Sequence, residues 1–321
     1  MTGHRRRPGP PLGGVCLTVA LGLVLAACSG GPPATSGPGR QGGEDTAITI
    51  GSFNFPESEL LANLYGEALR AHGFDVRILA NVGAREQVEP ALANGLVQFV
   101  PEYAGSALGF LTLGSNEGSS DVEATRAALE AALLPLGLAA LESAQAQDAN
   151  AIVVTRATAA KYGLRTISDL APVASDLTFG APPECPQRPF CLMGLRASYG
   201  LRFHRFVGLD SGGPLTLTAL RAREIDVALL FSTDPSIAAL HLVVLQDDRQ
   251  LQPAENVTPI VHRDLLARYG SSFVQVVDDV SARLTEEQLR LLNARVAAGT
   301  AVSRAVSAWL DAEGLVPGGS G

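Results

Sequence analysis

Two aromatic residues mark where this 321-residue chain could hold a small molecule. Tyr103 follows Gly51 by 52 residues, and Phe231 follows Gly180 by 51. Each lies twelve residues after an Ala-Leu pair, Ala91-Leu92 and Ala219-Leu220. Each ends an expected strand and is followed by small polar residues, Ala104-Gly105-Ser106 and Ser232-Thr233-Asp234. Aromatics make up 5% of the chain, so a ring outside a plain core pattern is informative. Rings and hydroxyls at strand ends can grip a solute, but they supply neither a nucleophile nor an acid–base pair.

Residues suited to catalysis are scattered. His72, His204, His241 and His262 have no ligand spacing. Ser106 in Gly105-Ser106-Ala107-Leu108-Gly109 stands one place short of a nucleophile elbow. Asp247-Asp248 falls in a charged, solvated turn. Asp210 and Asp234 border the expected cleft, where they could receive a cation or cap a loop. Gly37 to Gly42 spell G-x-G-x-x-G, but no strand precedes them and no helix follows. No P-loop, acid pair or zinc motif occurs, so no cofactor or metal is expected and the chain is read as a non-enzyme.

The elements that must position the rings repeat as well. Ile48-Thr49-Ile50 reads as a strand, Gly51-Ser52 as a turn, and Phe53-Asn54-Phe55 as a loop. Pro56 then opens a helix to about His72, with Glu57 and Glu59 where negative charge suits the helix dipole. Strand, polar loop and helix N-terminus is the junction where α/β sheets place ligands. Thr178-Phe179-Gly180-Ala181 echoes it. Strands are expected at 76–79, 96–100, 151–155 and 225–230, and helices at 84–94 and 121–136. Thr285 with Gln288 has capping-box spacing, and a last helix at 302–312 carries Trp309. Two like-built α/β units facing each other would form a cleft lined by strand ends.

Composition sets the frame. Hydrophobic residues at 46% can fill two cores. The net charge of −8, with no basic stripe, argues against nucleic acid. Arg5-Arg6-Arg7 and the apolar run Val15–Ala27 form a leader too short to span a bilayer. It ends Leu25-Ala26-Ala27-Cys28, which resembles a bacterial lipoprotein signal with Cys28 as the lipid-modified residue. Loss of 1–27 removes three arginines and no acid, taking the charge from −8 to −11. Residues 28–46, rich in Gly, Pro and Ser, read as a disordered tether. Cys16 leaves with the leader. Cys185 and Cys191 remain, six positions apart in a proline-rich loop of an exported chain, and a disulfide is expected.

Taken together, the residues resemble the osmoprotectant-binding lipoproteins of ABC importers, which bind glycine betaine, choline or carnitine. The resemblance spans about Ile48 to Leu315 and rests on Gly51–Glu57, Pro101–Ser106, Leu209–Pro214 and Glu224–Asp234. It implies a two-lobed type II periplasmic-binding fold, each lobe a mixed sheet flanked by helices, closing at a two-strand hinge. Lobe 1 would be 47–150 with 256–321, and lobe 2 would be 151–255. It also implies a monomer anchored outside the cytoplasm, delivering solute to a membrane permease driven by a cytoplasmic ATPase. In this family aromatic rings cage the quaternary ammonium by cation–π attraction. Carried over by position, Tyr103 is a cage ring with Ser106 beside it, and Phe231 stands where the family often has Tyr. Asn150 and Pro186 stand at two further cage positions; Phe53, Phe55 or Phe190 could compensate. The expected contacts are Ser52, Phe53, Asn54, Phe55, Tyr103, Ser106, Asn150, Glu184, Arg188, Phe231, Ser232, Thr233 and Asp234. Competing readings are a larger or aromatic ligand for the same role, a receptor-docking sensor, and an exported enzyme on the same fold.

Overall fold

The computed structural model describes residues 47–115 and 118–317. The leader, the tether and Cys28 lie outside the described residues. Ten strands follow in chain order: β1 (Ile48–Phe53), β2 (Val76–Gly83), β3 (Phe99–Tyr103), β4 (Leu138–Ala140), β5 (Asn150–Val154), β6 (Thr178–Ala181), β7 (Arg205–Gly208), β8 (Val227–Phe231), β9 (Val243–Val244) and β10 (Val257–His262). They form two sheets, ordered β2-β1-β3-β10-β4 and β7-β6-β8-β5-β9. β1 runs parallel to β2 and β3, as β6 does to β7 and β8. β10 is antiparallel to β3 and β4, as β5 is to β8 and β9. The two sheets therefore share one wiring, with β1 matching β6 and β3 matching β8.

Close packing explains the paired glycines. A Cβ on Gly51 would sit 3.1 Å from the Val97 side chain, and one on Gly180 would sit 2.5 Å from Ile225 Cδ1. Val97 and Ile225 each lie two residues before β3 and β8, so the same close approach recurs in both units. These strands start later than the sequence suggests, and for one reason. The N–H groups of Leu96 and Val97 donate to Ala91 O, and those of Glu224 and Ile225 donate to Ala219 O. These bonds close the preceding helices and push the strands forward, leaving Tyr103 and Phe231 as their last residues.

Helices cover both faces of each sheet. α1 (Pro56–Ala71) starts with proline at N1 and buries Leu60, Leu61, Leu64, Tyr65 and Leu69. α2 (Arg85–Ala93) and α3 (Ala104–Leu111) flank the ring-bearing edge. α4 (Val122–Leu133) is capped by Asp121, which accepts from Ala124 N at 2.9 Å. α5 (Arg156–Tyr162), α6 (Leu192–Tyr199), α7 (Pro214–Ala222) and α8 (Ser236–Ala239) belong to the second sheet. α9 (Arg263–Arg283), broken at Gly270, then α10 (Glu286–Ala297) and α11 (Val302–Ala312) return to pack on the first. Trp309 joins α1 and Phe273 in that core. The Thr285 cap works from one side only: its hydroxyl accepts from Gln288 N, while the Gln288 amide turns to Glu313 Oε1 at 2.8 Å.

The chain crosses between the sheets twice, through 141–149 and 245–256. The first segment bonds to the second and to the start of β10: Asp148 N to Glu255 O at 3.0 Å, Ala144 N to Val257 O at 2.8 Å, and Val257 N to Ala146 O at 2.9 Å. A two-stranded strap of this kind constrains sliding more than bending.

Candidate ligand-binding site

A cavity of about 340 Å3 lies among residues of both sheets. Phe53, Phe55, Tyr103, Phe110, Phe190 and Phe231 line it, and three of these rings cluster. Phe55, in the loop between β1 and α1, lies with its centroid 4.9 Å from Phe231 and 6.1 Å from Tyr103. Phe53 stacks on Phe55 at 5.9 Å with the ring planes nearly parallel. Phe231 comes from the end of β8, Tyr103 from the end of β3. Rings from the two like-built units therefore meet through Phe55, a residue with no counterpart in the repeat.

Tyr103 is fixed from behind. Its hydroxyl donates to Glu57 Oε1 at 2.6 Å, in the first turn of α1. The other Glu57 oxygen accepts from Thr233 Oγ1, beyond β8, and from Asn293 Nδ2 on α10 at 2.5 Å. Asp148, in the first crossing segment, accepts from Thr233 N at 2.9 Å and from Ser232 Oγ at 3.1 Å. Burial, with the Glu57 charge added, pushes both the Tyr103 phenol and the Asp148 carboxyl well above their usual ranges. Tyr103 thus stays a neutral ring. This network joins both sheets and a C-terminal helix behind the rings.

The second wall is electrostatic. Arg85, at the start of α2, holds Glu102 of β3 in a two-pronged ion pair, Nε to Oε1 and Nη2 to Oε2, both 2.8 Å. Its guanidinium also lies 5.1 Å over the Phe53 ring. Burial alone would raise Glu102, but the Arg85 charge and hydrogen bonds outweigh it and hold the carboxylate below its usual range. Glu89, buried beside the pair, is pushed well up by burial and the Glu102 charge. Glu255, at the end of the second crossing segment, accepts from Ser106 N at 3.0 Å and Ser106 Oγ at 2.6 Å. Burial raises it to about 7.

The loop 184–191 forms the third wall, and Cys185 and Cys191 are joined in it. Arg188 Nη2 bonds Glu86 Oε2 of α2 at 2.9 Å, across the cavity mouth, and approaches Glu184 at 3.4 Å. The Phe190 carbonyl accepts from Asn150 Nδ2 at 3.1 Å and Gln252 Nε2 at 3.0 Å. The Phe190 ring packs on Gly109 of α3, where a Cβ would stand 3.0 Å from Cε2.

Of the expected contacts, Phe53, Asn54, Phe55, Tyr103, Ser106, Asn150, Glu184, Arg188 and Phe231 line the cavity. Four do not. Ser52 is wholly buried within β1, where its hydroxyl accepts from Asn81 N at 2.9 Å and ties β1 to β2. Ser232 and Thr233 spend their hydroxyls on Asp148 and Glu57, as above. Asp234 caps α8, accepting from Ser236 N at 2.8 Å and Ser236 Oγ at 2.6 Å. Asp210 likewise caps α7, accepting from Leu215 N and Thr216 N at 2.9 Å each. Pro186 is not among the lining residues, although its neighbours are. Reasoning from sequence missed Arg85, Asp148 and Glu255 on the wall and Asn293 behind it. Glu57 was visible only as a helix-dipole residue.

Two sheets of one wiring, strapped by paired crossing segments and sharing a ring-lined cavity, define a solute-binding protein of the two-lobed type II periplasmic kind. Residues 46–312 match the family model for the substrate binding domain of ABC-type glycine betaine transport systems, and the chain belongs to that family. It is 27% identical over 260 residues to the glycine-betaine-binding protein of Pseudomonas aeruginosa, covering 78% of this chain and 82% of that one. It is 26% identical over 283 residues to the carnitine transport binding protein OpuCC of Listeria monocytogenes, covering 86% and 87%. Among solved structures, lactococcal OpuAC, closed on glycine betaine, shares the fold at a TM-score of 0.62 and 17% identity, over 85% of this chain and 98% of that one. The protein therefore binds a small solute, works with an ABC permease, and does so outside the cytoplasm.

Proposed function

We propose that the chain captures a small quaternary-ammonium solute, of the class that its betaine- and carnitine-binding relatives take, and delivers it to its permease without chemical change. The observation that supports this is the meeting of Tyr103, Phe55 and Phe231 at one cavity. A quaternary cation donates no hydrogen bonds, so ring faces solvate it better than amides do, at about 0.5–2 kcal/mol per desolvated contact. Phe55 supplies the ring that Asn150 and Pro186 do not. Ser106 and Asn150 offer the polar edge.

In this reading 47–150 with 256–321 forms lobe 1 and 151–255 forms lobe 2. They bend about the crossing strap, and the Arg188–Glu86 ion pair and the Thr233–Glu57 hydrogen bond are made on closing. The protein acts as a monomer, held at the membrane by lipid on Cys28. A larger organic cation is the second reading, favoured by the cavity volume, which reaches the lower end of the range for drug-sized ligands, about 300–1,000 Å3.

A thermal-shift panel of glycine betaine, choline, carnitine, proline betaine and aromatic metabolites tests this. A ligand at a hundred times its Kd stabilises by about 2.7 kcal/mol. That corresponds to a rise in Tm of about 5–10 °C. A panel in which only compounds lacking a quaternary nitrogen shift the Tm would overturn the assignment, as would no shift at all.

A further inference from the structure

The cations that could meet a ligand carboxylate on the cavity wall are already paired with the protein's own acids. Among the described residues, two cationic side chains reach the cavity wall, Arg85 and Arg188. Arg85 gives Nε and Nη2 to Glu102, and Arg188 gives Nη2 to Glu86 and Glu184, while its buried Nε has no hydrogen-bond partner among the described residues. Helix N-termini are the other usual anion sites, because their first N–H groups lack intrahelical partners. Two of them, those of α3 and α7, are taken. At α3, Ala104 N donates to Asn256 O, Gly105 N to Ala254 O, and Ser106 N to the Glu255 carboxylate. At α7, Asp210 holds the Leu215 and Thr216 N–H groups.

We propose that this cavity selects organic cations that carry no carboxylate, such as a quaternary ammonium alcohol, over zwitterionic betaines, and that Glu255 is the specificity-determining counter-charge. The proposal rests on the quaternary-ammonium reading above. Glu255 is 1% exposed, lines the cavity wall and is anchored to Ser106. A cation beside it gains Coulomb energy in a low-dielectric pocket. A betaine brings a second carboxylate against it, where both cations of the wall are already ion-paired.

The same geometry makes binding release a proton. Glu255 faces Arg85 on α2, Glu102 on β3 and Ser106 on α3, with Asp148 bonded to its backbone and Glu89 beyond Arg85. A bound cation favours the ionised carboxyl, so affinity is full above about pH 8 and falls as Glu255 protonates through about 7.

Titration calorimetry of the native protein with choline chloride and with glycine betaine decides the matter. At pH 8 choline is expected to bind at least tenfold more tightly. Between pH 8 and pH 6 choline affinity is expected to fall about tenfold, and glycine betaine affinity to change by less than threefold. Glu255→Gln, checked for folding by circular dichroism, is expected to bring the two ligands within about threefold of each other and to flatten the choline pH profile. The pH series on native protein stands even if that variant does not fold. Glycine betaine binding as tightly as choline at pH 8, or a flat choline profile in the native protein, overturns the selection while leaving the quaternary-ammonium reading in place. Failure of both probes to bind overturns that reading and the selection with it.

Discussion

Phe55→Ala is expected to weaken binding of a quaternary-ammonium ligand about 30–150-fold, or about 2–3 kcal/mol. The loss has two sources. One ring face against the cation disappears, worth about 0.5–2 kcal/mol. The contacts by which Phe55 positions Phe231 at 4.9 Å and Tyr103 at 6.1 Å also disappear, and such ring pairs carry about 0.5–1.5 kcal/mol. The fold should hold. Phe55 is only half-buried, and the N-terminus of α1 keeps its bond from Phe53 N to Ser58 Oγ at 2.9 Å. Calorimetry with a bound panel compound, beside a denaturation curve of the free variant, separates the two effects. Unchanged affinity would remove Phe55 from the cage. Tyr103 and Phe231 would then have no common contact through it.

The second large effect is on stability. Arg85→Ala is expected to cost about 3–5 kcal/mol at pH 8, because it strands the wholly buried Glu102 carboxylate beside Glu89 and Glu255. The pH dependence carries a sign that tests the cause. In the native protein Glu102 sits below its ordinary range, so its pair contributes stability above the unfolded pKa and loses it as the solution turns acid. Without Arg85 the same carboxyl, left to burial, is pushed above that range. Its contribution is then retained in acid and lost as pH rises. The gap between variant and native in urea denaturation should therefore narrow from pH 8 to pH 5. A gap of equal size at both values would assign the loss to packing around the arginine stem rather than to stranded charge.

Much of this was legible in the chain because it is written twice. The Gly51 and Gly180 strands, their partners at Val97 and Ile225, and the rings at Tyr103 and Phe231 recur at nearly the same spacing. The two sheets bear out that repeat strand for strand. The disulfide was legible for a different reason, since two thiols in one short exported loop leave few alternatives. Polar residues beside the rings were harder to place. Ser52 precedes Phe53 on one strand, and successive side chains face opposite ways, so its hydroxyl went to the neighbouring strand and not to the cleft. Thr233 and Asp234 served the network and a helix cap. The electrostatic wall left no local trace at all. Arg85 meets Glu102 only because α2 packs over β3. Glu255 meets Ser106 across 149 positions, and Glu57 meets Thr233 across 176. Pairings of that range are set by topology, and one sequence carries no pattern that announces them.

The claim on which the account turns is that ring faces from both units enclose the cationic head of the ligand. The proton NMR shift of the N-methyl groups of choline, or of whichever panel compound binds most tightly, tests it directly. Methyl protons held over the faces of Phe55, Tyr103 and Phe231 should move upfield on binding, and Phe231→Leu should reduce that movement. N-methyl protons that keep their free-solution shift in a saturated complex would place the cation away from the rings and contradict the account.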